Sequence, residues 1–391
     1  MRKISIVNND FAVARFPHAL AAGGSSRPFA DRLRSFLGSG ECFLTSCGFA
    51  AFSVILQNCK ELHPERSEVV IPAYTAPALI FPIRSLGLTT VLCDVEPGGF
   101  LMSSDRVAAL LGPKTLAVVA VHMFGLPIDV NGLLRAAGTD IAVIEDCAQS
   151  LGTEVDGRKT GTRAPFAFGS FSRGKNFSLY YGGFLVVNNG NGLEHIRSKI
   201  SVLPVERRGA AIHSLLKFAA FSMLSQPQIY ALTSNLLSRM KSKREKDSFD
   251  SRAMPDLIAS VASPLFNLWQ DNYTRRITNG KYLYDALKGL RGIVIPAYPG
   301  NAGIAFNRFP VIVRDTVIRG KLIDALARRG IEASVMYGKP IHHIWDTGYS
   351  RADLTESTYL AEHLLTLPVH GNVSMEDLDK IISVVYDIIR V

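Results

Sequence analysis

The sequence predicts an α/β fold, a sheet buried between layers of helices, followed by a smaller α+β unit. Three observations carry it. Short apolar runs recur between Glu68 and Asn188, most of them β-branched and nearly free of polar interruptions. Segments of helix length separate these runs, as parallel strands covered on both faces require. Near Val205 the texture changes to a basic and apolar stretch, and a more mixed pattern follows it to the C-terminus.

In chain order, TSCGFAAFSVILQNC (45–59) predicts a turn entering a helix, with Thr45 or Ser46 as the cap and Gly48 allowing close backbone approach. Strands are expected in VVIP (69–72), TVLCDV (90–95), TLAVVAVHMFG (115–125), IAVIEDC (141–147), FAFGSF (166–171) and GFLVVNN (183–189). A basic run, RMKSKREKD (239–247), closes the segment that begins at Val205. Helical periodicity from Asp256 to Leu290, the runs FNRFPVIV (306–313) and GIEASVMY (330–337), and a closing helix over 374–390 make the smaller unit. The boundary is expected at 245–255, dividing a large domain, 1–247, from a small one, 248–391; 391 residues suffice for two such cores.

Composition narrows the class. With 47% apolar and 20% charged residues, this is an ordinary globular chain. MRKISIVNND has no apolar h-region, and no run approaches the roughly 18 apolar residues that span a bilayer, so a cytoplasmic protein is expected. Five cysteines without a C-x-x-C argue against a disulfide framework and a zinc site. The net charge of +9 suits an anionic partner. Residues 205–247 hold eight basic residues against three acids, which places the excess beside apolar helix faces; no nucleic-acid partner is expected.

GSFSRGKN (169–176) reads G-x-x-x-x-G-K but ends in Asn176 where a P-loop needs a magnesium-binding hydroxyl, and FSLYYGGF makes a poor first helical turn. A second reading begins at Glu145-Asp146, at the carboxyl end of a buried strand, where open α/β sheets place ligands; Gln149 follows three residues on. Taken alone, one of these acids caps a helix. Together with Ser170-Phe-x-x-x-Lys175 and a glycine-turn helix start at 47–50, they supply what pyridoxal phosphate (PLP) needs: a lysine for the aldehyde, an acid for the pyridine nitrogen, and helix-end amides with a hydroxyl for the phosphate.

In SEVVIPAYTAPA (67–78), VHMFGLPIDV (121–130), VIEDCAQSLGTEVDGRKTG (143–161), SFSRGKN (170–176), GGFLVVNN (182–189) and LTLPVHGNVSMEDLDKI (365–381), the chain resembles the DegT/DnrJ/EryC1/StrS family of PLP-dependent sugar aminotransferases. The resemblance implies a fold-type I aminotransferase, a large mixed-sheet domain with a smaller C-terminal one. It implies that Lys175 is the Schiff-base lysine, Asp146 the partner of the pyridine nitrogen, Gln149 the neighbour of the phenolic oxygen, Ser170 a phosphate contact and Gly48 the glycine of the phosphate-binding helix start. Relatives that use PLP for deoxygenation carry His at the lysine position, so Lys175 points to amino transfer, from glutamate to a nucleotide-linked keto-sugar, in a homodimer with sites at its interface. The chain departs from the pattern where Cys47-Gly48-Phe49 replaces Ser-Gly-Thr and where Ala76 replaces an aromatic residue; Tyr74, His122 and Phe124 are the candidates to cover the cofactor ring. Asp250 and Arg252 stand where relatives carry an Asn, lent across the dimer, shortly before an Arg-Met; Arg252 and His122 are candidate substrate contacts. His342 and His343, expected to point apart and without a third ligand for a metal, fall near the active-site mouth as substrate contacts. The departures leave a non-catalytic PLP-fold sensor or scaffold as an alternative, and the P-loop reading a nucleotide hydrolase.

From 205 to 247, Ile212, Leu215, Leu216, Ala219 and Met223 are expected to share one helical face, and Ile229, Leu232 and Leu236 to begin another after Pro227. A helical hairpin packed on the dimer ranks first; a surface that lies on an anionic membrane is the second reading.

Overall fold

A computed structural model describes residues 2–9, 27–38, 40–190, 192–240, 249–270 and 272–389, with side chains of 234–240 left out. Seven strands form the main sheet: β1 (Glu41–Thr45), β2 (Glu68–Pro72), β3 (Thr89–Cys93), β4 (Thr115–Val121), β5 (Ala142–Asp146), β8 (Phe166–Ser170) and β9 (Gly183–Val187). Between β5 and β8, the short β6 (Glu154–Val155) and β7 (Arg158–Lys159) make a hairpin. The order across the main sheet is β1-β9-β8-β5-β4-β2-β3. From β3 to β8 every pairing is parallel, whereas β9 and β1 join antiparallel, which makes the sheet mixed. Every residue of β4 is buried, as its unbroken TLAVVAV demands. The apolar run continues past it to Gly125, but the strand stops at Val121, and Phe124 adopts φ 62° in a tight turn.

The second unit is built on a three-stranded sheet, β10 (Ile293–Val294), β12 (Phe309–Val313) and β13 (Leu364–Leu367), all antiparallel. The short β11 (Ala302–Gly303) pairs with β6 and so ties the two units together. Two sets of contacts cross the expected division at 247. Helix Asp256–Gln270 turns Ile258, Leu265, Phe266 and Trp269 into one core with Phe29, Phe171, Phe177 and Phe184, so it packs with the large sheet. Its Phe266 ring stands 5.2 Å from Phe177 and 5.7 Å from Phe29. In the opposite direction, the Ile4 amide donates to Gly330 O at 2.8 Å and Glu332 N to Ile4 O at 2.9 Å, while Asn8 Nδ2 donates to Ser225 O at 2.8 Å, so residues 2–9 bridge the C-terminal unit and the helices after Val205. Of GIEASVMY, only Ile331 and Ser334 make isolated bridges, to Ile4 and Thr366; the expected strand is absent there.

The insertion forms two helices, Arg208–Leu224 and Pro227–Met240. Its buried side differs from the expected one: Ala211, Leu215, Phe218 and Ser222 face inward, while Ile212, Leu216 and Met223 are exposed. Placing helix Asp256–Gln270 behind it selects a face one residue away from the most apolar stripe. The basic residues of 241–247, and the side chains of Arg239 and Leu236, lie outside the described residues. No described helix is long and apolar enough to cross a membrane.

Candidate active site

At the carboxyl ends of β4, β5 and β8 lies a cavity of about 120 Å³. Lys175, Asp146, Gln149, Ser170, His122 and the stretch Cys47-Gly48-Phe49 line it together. The alternation of a strand explains the two acids: successive side chains leave β5 on opposite faces, so Asp146 enters the cavity while Glu145 turns away.

One wall is the start of helix Gly48–Leu62. Its first residue follows Cys47, extended at φ −164°, and no side chain caps it. The predicted caps are engaged elsewhere, since Thr45 Oγ1 donates to Cys47 O at 2.9 Å and Ser46 Oγ to Asp250 O at 2.8 Å. The first amides of the helix therefore keep their capacity for an anion. A Cβ on Gly48 would stand 3.1 Å from Gly169 O and from the Ser170 Cβ, so glycine is what lets the helix start sit against β8. Ser170 Oγ lies 3.0 Å from Ser172 Oγ and accepts the Ser172 amide at 3.2 Å, which brings a second hydroxyl, Ser172, to the wall.

Asp146 Oδ1 accepts the Ala148 amide at 2.9 Å. Burial raises its pKa, and the charge of Lys175, that amide and His122 oppose the rise in part. Burial lowers the pKa of Lys175, against the pull of Asp146 and with a further push from Arg308. Burial disfavours the charge of each group, and each favours the charge of the other. Lys175 sits in a turn, not at a helix start: Gly174 has φ 79°, and Asn176 Nδ2 donates to Leu151 O at 3.0 Å and Ala305 O at 2.7 Å. No helix follows Lys175 before Gly183, so the fold gives the G-x-x-x-x-G-K stretch no P-loop geometry. Behind the turn, the Arg173 guanidinium lies 4.5 Å over the Phe221 ring, and Tyr180, at φ 65°, packs on the same ring at 4.7 Å.

His122 is held in one orientation. Its Nδ1 accepts the Ile128 amide at 3.2 Å, which leaves the ring proton on Nε2, 2.9 Å from Glu145 Oε2. Glu145 also accepts from the amides of Gly161, Arg163 and Ala164 at 2.7, 2.8 and 2.7 Å. Burial pushes the Glu145 carboxyl up, but the hydrogen bond from His122 and the surrounding amides outweigh it, and the pKa is lowered. His122, Glu145 and Cys147 place three ligand-type atoms within 4.8 Å of one another. The Glu145 oxygens are engaged by these donors and burial holds the Cys147 thiol well above its ordinary pKa, so the cluster reads as a hydrogen-bonded knot. Gln149 Oε1 accepts the Phe124 amide at 3.1 Å, and its Nε2 is 3.3 Å from Tyr337 Oη.

Several expected contacts stand elsewhere. Tyr74 is packed between Phe124 and Tyr337, at 6.5 and 5.9 Å, and neither Tyr74 nor Phe124 lines the cavity; of the three ring candidates only His122 does. Packing of the second unit draws Tyr74 inward. His342 and His343 occupy a short turn outside the cavity, with His343 Nε2 3.1 Å from Arg351 O, and their rings meet edge-on at 4.3 Å instead of pointing apart. Arg252 and Asp250 flank the helix start of their own chain, 3.8 Å from each other, with the Arg252 amide donating to Ser46 Oγ. Thr75 and Phe168 line the cavity unforeseen; Phe168 shares a strand face with Ser170, a period-2 signal that would have found it.

The model of the DegT/DnrJ/EryC1/StrS aminotransferase family matches residues 15–386. The uncharacterized protein MJ1066 of Methanocaldococcus jannaschii is 23% identical over 380 residues, 95% of this chain and 91% of its own. The UDP-N-acetyl-3-dehydro-alpha-D-glucosamine 3-aminotransferase of Acidithiobacillus ferrooxidans is 25% identical over 322 residues, 81% of this chain and 76% of that one. In fold, the chain is similar to Spr1654 of Streptococcus pneumoniae in its PLP form, with TM-score 0.79, 18% identity and 99% of both chains covered.

Proposed function

Because the chain belongs to the DegT/DnrJ/EryC1/StrS aminotransferase family, whose cofactor is PLP, we propose that it transfers an amino group from glutamate to a nucleotide-linked keto-sugar for glycan synthesis. The observation that carries this reading is the convergence of Lys175 and Asp146 with an uncapped helix start in one cavity. The residues fit the cofactor: the amides after Cys47, with Ser170, would hold its phosphate, Asp146 would face its ring nitrogen, and His122 would cover its ring. Bound PLP supplies an aldehyde for amine exchange and a ring that withdraws electrons from the reacting carbon. Asp146 would hold a proton on the ring nitrogen. Lys175 Nζ would take the proton from the donor's reacting carbon and give it up again, as general base and acid. The buried walls around Asp146 and Lys175 strengthen both tasks by excluding water.

The keto-sugar substrate is supported by the relative from A. ferrooxidans, whose name specifies a UDP-linked 3-dehydro sugar. A homodimer acting in the cytoplasm completes the proposal. The test is the absorbance spectrum of the purified holoprotein: a band that L-glutamate shifts, together with borohydride label on Lys175, supports it. A band that no amino acid shifts supports a non-catalytic sensor instead, and label on Lys159 removes Lys175 from its role.

For the outer face of 208–240 the proposed partner is an anionic bilayer. More than half of the exposed large apolar side chains among the described residues fall between Val202 and Leu232, and Leu232 is 87% exposed. Exposed Arg207, Arg208 and Lys217 border them, and no acid occurs from Arg207 to Arg244. A twofold contact between copies of this face would set like charges against each other, whereas anionic lipid answers both features. Co-sedimentation with phosphatidylserine vesicles at low salt, lost when Arg207, Arg208 and Lys217 become Gln, supports it. Sedimentation as a pair that Leu216→Ser separates, without vesicle binding, assigns the face to a second copy.

A further inference from the structure

Lys175 is flanked by a pair of asparagines, one from each unit. Asn176 follows the lysine directly, and Asn307 comes from the short segment between β11 and β12; both are buried. Asn176 Nδ2 donates to Leu151 O at 3.0 Å and to Ala305 O at 2.7 Å, and two carbonyls accept only from a donor, so this amide has one orientation. Its Oδ1 then faces Asn307, whose Nδ2 donates to it at 3.1 Å and to Gly174 O at 2.7 Å. The residues before and after Lys175 are thus fastened to the same amide group.

The main chain of Asn307 reaches a second turn. Its amide donates to Phe124 O at 2.9 Å, and the Phe124 amide donates to Gln149 Oε1 at 3.1 Å. Phe124 holds φ 62°, a conformation in which a bulky residue persists only where its surroundings determine it. Those surroundings are the segment 305–307: a Cβ on the neighbouring Gly125 would stand 2.8 Å from Ala305 O and 3.2 Å from Asn307 N. One residue of the second unit therefore meets both the turn that presents Lys175 and the turn that orients Gln149, although it does not line the cavity itself.

We propose that Asn307 is a positioning residue for amino transfer, setting Lys175 Nζ in register with Gln149. The proposal rests on the aminotransferase reading and deepens it. A lysine that acts as base and then as acid has to be presented at a fixed reach, and a misplacement of about 1 Å can cost roughly 100-fold in rate. Gly174, at φ 79°, has no side chain with which to hold the turn, so the bond from Asn307 to its carbonyl supplies the constraint that the glycine lacks. Asn176 closes the arrangement on the other flank. Its amide meets the Ala305 carbonyl and the Asn307 side chain together, which ties the lysine turn to the second unit at two points.

The experiment compares wild type with Asn307→Leu, which fills the space without a donor, and Asn307→Ser, which keeps a shorter one. Apoprotein of each is mixed with PLP and quenched with borohydride at intervals, and label on Lys175 is followed by peptide mapping. The Leu variant should form the link about 10- to 100-fold more slowly, with the Ser variant between. In the holoprotein, the pH at which the absorbance band changes should shift in the same order, while the L-glutamate concentration for half-saturation stays at the wild-type value, since Asn307 forms no wall of the cavity. Amide hydrogen exchange of apoprotein residues 172–178 should accelerate in the Leu variant, with β4 and β5 unchanged. A Leu variant that melts at a lower temperature yet links and titrates as wild type assigns Asn307 to packing alone; this overturns the proposal and leaves the aminotransferase reading standing. Exchange that rises equally through β4, β5 and the lysine turn overturns it as well. Wild-type label on a lysine other than Lys175 brings down both readings. If the Leu variant does not fold, the Ser variant decides: link formation at the wild-type rate overturns the positioning role, and a slower rate with a wild-type melting temperature supports it.

Discussion

The cavity at the strand ends and the helical pair at 208–240 differ in what they leave unmet. Around the cavity the apolar groups are packed and the polar groups are disposed for a guest: the helix start after Cys47 has no cap, and Asp146 and Lys175 favour each other's charge. On the outer side of the helical pair Arg208 and Lys217 are in water, and the apolar Ile212, Leu216, Met223 and Leu232 are uncovered beside them. One region therefore selects a small charged molecule by hydrogen bonds and the other selects a broad surface by area. Unmet groups of each kind name the class of partner, and substitution should separate the two regions cleanly.

The largest effect is expected in the cavity. Lys175→Ala should abolish amino transfer while the protein still retains PLP without a borohydride-stable link, because the helix start and Ser170 do not depend on the amine; turnover and ultrafiltration measure the two. Asp146→Asn comes next, with turnover lower by orders of magnitude and fold and cofactor content largely kept, since the amide cannot hold the ring nitrogen's proton. Equal turnover in the Asn variant would remove Asp146 from its role.

Glu145→Gln tests the knot behind the cavity. Its side-chain NH2 would face amides that now donate to a carboxylate, and urea denaturation should show a loss of about 3 kcal/mol, on the scale of a broken buried charged network. The folded pKa of Glu145 is depressed, so its contribution is complete above the ordinary value of 4.5 and is lost as pH falls through the lower folded one. The difference between wild type and Glu145→Gln should therefore shrink in strong acid. The smallest effect on stability and turnover is expected for Leu216→Ser with Leu232→Ser: within about 0.5 kcal/mol of wild type, because both side chains are already in water, yet with vesicle binding lost.

Strands buried on both faces were legible because their sequences leave no other reading, as TLAVVAV does not. β1 was passed over: ECFLT is short, begins with a charge and pairs antiparallel at the sheet's end, where periodicity is weak. The run at 330–337 looks like a strand, yet its partners are single bridges to Ile4 and Thr366, and nothing local signals that the N-terminal residues return to meet it. The site divides in the same way. Lys175, Asp146, Gln149, Ser170 and Gly48 sit at strand ends and a helix start, where local sequence fixes direction, and they share one cavity. Tyr74, Arg252 and the two histidines depend on how the second unit and the 249–253 segment pack, which no spacing encodes.

The ring of Phe221 joins the two regions. It belongs to the inserted helix, yet Arg173 and Tyr180 of the lysine turn rest on it. The helix is therefore part of the footing on which the reactive turn stands: removing the Phe221 ring would leave the Arg173 guanidinium and the Tyr180 ring without the surface both rest on, while the outer side of the same helix touches neither.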